Sequence, residues 1–426
     1  MPASRNRIYR HADRDPRTSL PRRVGLVALA IALFLTSGAA FALRDLQSKV
    51  HSVDLAALLG SDRPQNDASD SYKGRAVNIL VLGSDTRSGK NNVDNSQGSD
   101  EVAVARSDTA MVMHLSADRS RVDVVSIPRD TLVSIPSCVL PDGTSSAPLD
   151  DTMFNQAFAI GAGTGSDTAA IARGAACSIK TVEAMTGLFI NEFVVVDFSG
   201  LERMVDALGG VGVYVTEAID DPEYTGTKLE VGCHHLSGAE ALQYARVRHG
   251  VGNGSDTGRI GRQQNLMSAM IRTALSKNLL TNLDDLYSFA SAGLSTLTVS
   301  KGIGTLSTLG GLAKSVSDVG MDKINFVAMP TTEAAWDRNR LVPTSEATRV
   351  WKALKKDEAV PASTVAVSGD GTVNTPTTPD PQGTGTPEAT ASPTPEAPAQ
   401  PPAAEAPAAP TAEASKSASN PAAQCK

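Results

Sequence analysis

Three stretches decide the fold: VNILVLGSDTR (77–87), RSDTAMVMHL (106–115) and VDVVSIPRDTLV (122–133). Each couples an apolar run to a polar segment carrying Asp and Arg. Runs this continuously apolar read as strands buried on both faces. More of the kind stand at 193–198 (FVVVDF), 211–215 (VGVYV) and 324–329 (INFVAM). Helical patterns lie between them, over about 168–186, 199–208, 237–247 and 259–280, and Ser237 with Glu240 makes a capping-box pattern at the start of the third. Strands alternating with helices predict an α/β fold, a three-layer α/β/α domain with a mixed central sheet, spanning 75–357.

Outward from that domain the composition changes. Residues 24–43, VGLVALAIALFLTSGAAFAL, carry no charge and cover about the 30 Å of a bilayer core. Seven Arg against Asp13 and Asp15 give residues 1–23 a balance of +5, so the positive-inside rule keeps that stub cytoplasmic and the rest outside. A single transmembrane signal-anchor helix is expected. Ala40-Phe41-Ala42 offers the competing reading, a cleaved signal peptide, but the apolar run is longer than an ordinary signal-peptide core. Residues 44–74 read as a linker, and 358–426 as a disordered Pro/Ala/Thr-rich tail.

The whole chain has 426 residues and a net charge of −7, leaving −12 beyond the stub. Nucleic acid is therefore not an expected partner, because its binding needs a basic footprint. Four cysteines allow three pairings, and Cys138–Cys177 is favoured because both flank one insertion-like loop region.

The polar ends of the strands carry the chemistry. Asp85 follows the first strand, Arg106 and Asp108 open the second, and Arg129 follows the third. Asp85 and Asp108 suit a shared hard cation, which takes one or two carboxylates plus phosphate oxygens. Turn and cap chemistry is the ordinary role of each Asp taken singly. Between 241 and 272, Arg246, Arg248, Arg259, Arg262 and Arg272 face only Asp256, and no Lys occurs. Arg259, Arg262 and Gln263 share one helix face, and Arg offers phosphate a planar fork that Lys lacks. GAGTG (161–165) follows a helix rather than a strand, so it is not a dinucleotide loop. Cys233-His234-His235 lacks the spacing of a zinc site, and no G-x-S-x-G elbow is present.

Taken together, these segments with FNQAFAIGA (154–162), VVDFSGLERMVDALGGVGVYV (195–215), LSGAEALQYARVRH (236–249) and DTGRIGRQQ (256–264) resemble the LytR–CpsA–Psr family of envelope phosphotransferases. The resemblance covers about 75–357, in order. It implies transfer of a glycopolymer, as glycosyl phosphate, from a polyprenyl-pyrophosphate-linked donor to peptidoglycan or a surface-protein acceptor, at the outer face of the membrane. It implies Mg²⁺, or Mn²⁺ in its place, on Asp85 and Asp108. By position Arg106, Arg129, Arg246, Arg248, Arg259, Arg262 and Gln263 would surround the head group, and Val195, Phe198, Leu208 and Val213 would enclose the tail. The family commonly reads Lys-Ile-Asn where this chain has Met153-Phe154-Asn155, which bears on acceptor or carrier preference. A polyprenyl-pyrophosphate hydrolase and a non-catalytic envelope binding or signalling protein are the alternatives.

Overall fold

The computed structural model describes residues 19–60, 74–85, 106–251, 256–277, 283–361, 364, 366–368, 373–374 and 425. In chain order the first elements are α1 (Ser19–Ser48), β1 (His51–Val53), α2 (Ala56–Leu59), β2 (Val77–Asp85), β3 (Arg106–Leu115) and β4 (Val122–Ile127). A hairpin, β5 (Leu132–Ile135) and β6 (Leu149–Met153), precedes α3 (Gln156–Ala162), α4 (Thr168–Thr186), β7 (Glu192–Asp197) and α5 (Phe198–Ala207). Next come β8 (Val211–Val215), β9 (Ile219–Asp221), β10 (Thr227–Leu229), β11 (Gly232–Leu236), α6 (Gly238–Arg246), α7 (Asp256–Ser276), α8 (Leu283–Leu294) and β12 (Leu297–Ser300). The chain closes with α9 (Leu306–Val319), β13 (Ile324–Ala328), the hairpin β14 (Thr331–Ala334) and β15 (Asp337–Pro343), α10 (Ser345–Lys355), β16 (Ala366–Ser368) and β17 (Val373–Asn374).

The central sheet has nine strands in the order β1-β12-β7-β2-β3-β4-β13-β16-β17. It is mixed: β7 runs parallel to β2 and β13 parallel to β4, while β3 opposes both its neighbours. Alternation along each strand divides the core. Leu80, Leu82, Val112, Val125 and Phe193 point to one face, covered by α3, α4 and α10. Ile79, Met111, Val124 and Phe326 point to the other, under α7 and α9. A third cluster, with Val205, Leu208, Val213 and Leu236, fills the space between α5, α6, α7 and the β8–β11 pair. This is the expected three-layer α/β/α domain.

Several expectations change. The strand at 211–215 forms, but it pairs with β11 outside the central sheet. Residues 44–60 are not linker: they complete α1, add β1 to the sheet edge beside β12, and place Leu55 and Leu59 in the core. Within 358–426, β16 and β17 extend the opposite edge. Cys425 bonds to Cys233, and the favoured Cys138–Cys177 bond is present. Most of that tail lies outside the described residues. GAGTG serves helix packing instead: a Cβ on Gly161 would stand 2.3 Å from the Arg173 carbonyl oxygen, so glycine lets α3 meet α4.

Helix α1 stands apart. Pro21–Ser48 is long and apolar enough to cross a membrane. From residue 21 to 41 its side chains are exposed on every side, Phe34 at 78%. A helix apolar all round is stable only with an apolar surround, which the domain does not provide.

Candidate active site

Strand direction gathers the polar ends. The carboxyl ends of β2, β4 and β7 meet the amino end of β3 at one edge of the sheet. Ligands of layered α/β folds bind at such edges. There the β2–β3 register slips: Gly83 pairs with Thr109, but Ser84 pairs with Ser107. Asp108 is the extra residue of this bulge, released from the ladder and re-aimed into a cavity of about 560 Å³.

Cations converge on Asp108. Arg129, just past β4, donates from Nη1 to Asp108 Oδ1 at 2.7 Å. Arg259, in the first turn of α7, donates from Nη2 to the Asp108 backbone carbonyl at 2.9 Å and is 4% exposed. Burial alone would raise the Asp108 carboxyl. The guanidinium groups of Arg129, Arg259 and Arg248 outweigh it and hold the group below the usual carboxylate range.

Helix α6 ends at Arg246, whose guanidinium stands 5.0 Å from the centre of the Phe198 ring. The capping box is real: the Glu240 carboxylate accepts from the Ser237 N–H at 2.9 Å. Past α6 the chain turns extended through Val247, which points Arg248 into the cavity. Tyr224 stacked on His249 at 4.0 Å ties this exit down. Asp197 caps α5 by accepting from the Gly200 N–H at 2.5 Å, which fixes Phe198 beside it.

Beyond this polar region the lining is apolar, with Val81, Met111 and Val194 from the sheet, Met204 from α5 and Phe289 from α8. Helix α7 spans both regions. Arg259, Gln263, Met267, Met270 and Ala274 line the cavity along one stripe that passes from cationic to apolar over about 22 Å.

Arg129, Arg246, Arg248, Arg259, Gln263, Phe198 and Asp108 thus come together as expected. Others do not. Arg262 donates to the Val247 carbonyl at 2.6 Å, bracing the α6 exit from outside the lining. Arg106 is exposed at the start of β3. Asp85 closes β2 opposite Arg106, and its side chain lies outside the described residues. Val195 points to the α3–α4 face, because alternation gives the cavity Val194 and Val196 instead. Leu208 and Val213 are buried in the third cluster. Sequence reasoning missed Met204, Met267, Met270 and Phe289. The α7 residues were findable by continuing the Arg259–Gln263 spacing down the helix.

Arginines thus border one part of the cavity, and methionine, valine and phenylalanine side chains the other. The LytR_cpsA_psr family model matches residues 43–356, and the chain belongs to that family. Among curated relatives it is 33% identical to LcpB of Corynebacterium glutamicum over 229 residues, 53% of this chain and 49% of that protein. It is 30% identical to the cell wall biosynthesis protein LcpA of the same organism, over 60% of this chain and 50% of LcpA. The polyisoprenyl-teichoic acid–peptidoglycan teichoic acid transferase TagU of Oceanobacillus iheyensis is 28% identical over 61% of this chain and 71% of TagU. The chain spans about half the length of the two Corynebacterium relatives. A solved LytR-Csp2A-Psr enzyme from Actinomyces oris shares the fold, with a TM-score of 0.52 at 19% identity over 72% of this chain and 96% of that one.

Proposed function

We propose that this protein transfers a glycopolymer, as its glycosyl phosphate, from a polyprenyl-pyrophosphate carrier to peptidoglycan or a surface glycoprotein, outside the membrane. One observation carries the reading: the α7 stripe that changes from arginine to methionine along a single cavity. A pyrophosphate fits its first half and a polyprenyl chain its second.

In this reading the acceptor hydroxyl attacks the phosphorus bonded to the polymer and gives up its proton to solvent. The bridging P–O bond breaks, and polyprenyl phosphate leaves with the bond's electrons. Arg246, Arg248, Arg129 and Arg259 balance the charge that gathers on the departing oxygen. Burial strengthens that effect, since the Arg259 side chain is nearly closed to water. The arginines around Asp108 lower its pKa and favour the ionised carboxylate. It fits Mg²⁺, or Mn²⁺, because it is an ionised oxygen donor aimed into the cavity, and Asp85 closes the adjoining strand. A cation held there would add to the neutralisation of the pyrophosphate.

The test uses the full chain in bilayer discs, with a polyprenyl-pyrophosphate oligosaccharide, Mg²⁺ and peptidoglycan fragments, followed by mass spectrometry. A phosphodiester-linked conjugate that disappears in Asp108→Ala supports the transferase. Free glycosyl phosphate formed at the same rate without fragments replaces it with the hydrolase. Bound lipid with no conversion replaces it with a binding role.

A further inference from the structure

The apolar run of α1 ends at Leu43, yet the helix continues to Ser48. At 1.5 Å per residue, Asp45, Gln47 and Lys49 stand about 3–9 Å beyond the hydrocarbon boundary, at head-group depth. All three bond to the domain. The Tyr287 hydroxyl donates to Asp45 Oδ2 at 2.5 Å. Lys49 Nζ donates to the same carboxylate at 2.6 Å and to Ser291 Oγ at 2.9 Å, and lies 5.4 Å from the Tyr287 ring centre. Gln47 closes a second clamp: its Nε2 donates to the Gly304 carbonyl at 3.0 Å, and its Oε1 accepts from the Leu306 N–H at 3.0 Å, the first turn of α9.

Tyr287 and Ser291 are four apart, so they share one face of α8. Phe289 and Gly293 share the other. Phe289 lines the cavity, and a Cβ on Gly293 would meet the sulfur of Met204, another lining residue, at 3.4 Å. A single helix, about 10 Å across, therefore separates the membrane helix from the apolar half of the cavity.

The geometry points to a latch: the exit turn of α1 fixes α8, the inner wall of the cavity, at the bilayer surface, so that the cavity receives its lipid chain directly from the membrane. Tyr287 and Gln47 are positioning residues. The inference rests on the proposal above that the ligand is lipid-linked. A flexible tether would let the domain tumble above the bilayer. Bonds on two separate elements, α8 and the start of α9, remove that freedom.

The experiment compares the full chain with the double variant Tyr287→Phe, Gln47→Ala. Turnover is measured on a long-chain donor embedded in bilayer discs and on a short-chain donor dissolved in detergent-free buffer. In parallel, a fluorophore at Lys228→Cys, an exposed site, reports energy transfer to head-group-labelled lipids. The latch predicts about a tenfold loss on the embedded donor, no loss on the dissolved one, and weakened, broadened energy transfer. Equal losses on both donors, with energy transfer unchanged, would reduce these residues to ordinary fold support and overturn the inference. Unchanged turnover on both would overturn it as well. If the parent chain converts neither donor, the transferase reading fails, and the energy-transfer profile alone decides the latch.

Discussion

Strands β3 and β4 carry a cluster of charge at each end, and the two clusters differ in what they face: one lines a cavity, the other closes on itself. At one end Asp108 faces Arg129, Arg248 and Arg259, with Arg246 close by on the same cavity. At the other end the charged groups bond one another. Arg121 bonds Asp123 at 3.0 Å and Asp357 at 2.9 Å. His114 reaches Asp357 at 3.0 Å and Asn78 at 2.7 Å, and Asn325 donates to Asp123 at 2.8 Å. Burying charge is costly unless partners complete it. The second end closes on itself and holds the exit of α10. The other end opens onto the cavity, which Arg129, Arg246, Arg248 and Arg259 line. The two faces of the sheet differ in the same sense: Phe154 and Phe158 pack solid against α4, while the α7 face leaves a cavity.

The largest expected effect is on stability at the closed end. Asp123→Ala leaves Asn325 without its carboxylate acceptor and Arg121 with Asp357 alone, and should cost about 3–5 kcal/mol in urea melts, with turnover per folded molecule unchanged. A loss of turnover beyond the unfolded fraction would mean that the two ends are coupled. Arg246→Ala should do the reverse. We expect turnover to fall about 10²–10³-fold with the melting midpoint close to the parent's, as for loss of one charge-stabilising donor. A stability loss like that of Asp123→Ala would make Arg246 a fold residue and erase the contrast.

The two faces give a third pair. Phe158→Ala, in the packed face, should cost about 3–5 kcal/mol. Met204→Ala, on the cavity wall, should cost under about 1.5 kcal/mol, because that side chain is only partly buried and borders the cavity. Similar costs in thermal melts would show that the cavity collapses in solution.

The smallest effect concerns Glu192 at the far end of β7. Burial raises its carboxyl pKa, opposed by the hydrogen bond from Ser300. The folded state therefore prefers the proton. The penalty is absent below the unfolded carboxyl's range, about pH 4, and sets in as pH rises through the raised value. Glu192→Gln should raise the melting midpoint at pH 7 and leave it unchanged at pH 4.

Much of this was legible along the chain. The run 122–127 is strand β4 to the residue, and 168–186 is α4 to the residue, where Asp167 caps the start by accepting from the Ala170 N–H. Asp108 and Arg129 were visible because Asp and Arg recur together at the polar ends of successive apolar strands, although each Asp alone reads as turn or cap chemistry. In contrast, the parity of Val194-Val195-Val196 could not be read: three identical side chains carry no alternation to mark a face. Strand β1 is three residues long, too short to stand out, and exists only because β12 offers it an edge. The Cys233–Cys425 pairing joins positions 192 apart, beyond the reach of any local pattern.

By itself the sequence determined six apolar strands, the helices over about 168–186, 199–208, 237–247 and 259–280, the apolar span of α1 and the residue types of the candidate site, because periodicity, capping and hydrophobic length are local properties of the chain. Only the tertiary structure decided which face of each strand meets the cavity, that a bulge frees Asp108, and that α8 lies between α1 and the cavity. Those outcomes depend on register and packing between segments far apart in sequence, and a one-residue shift in register reverses every side chain they place.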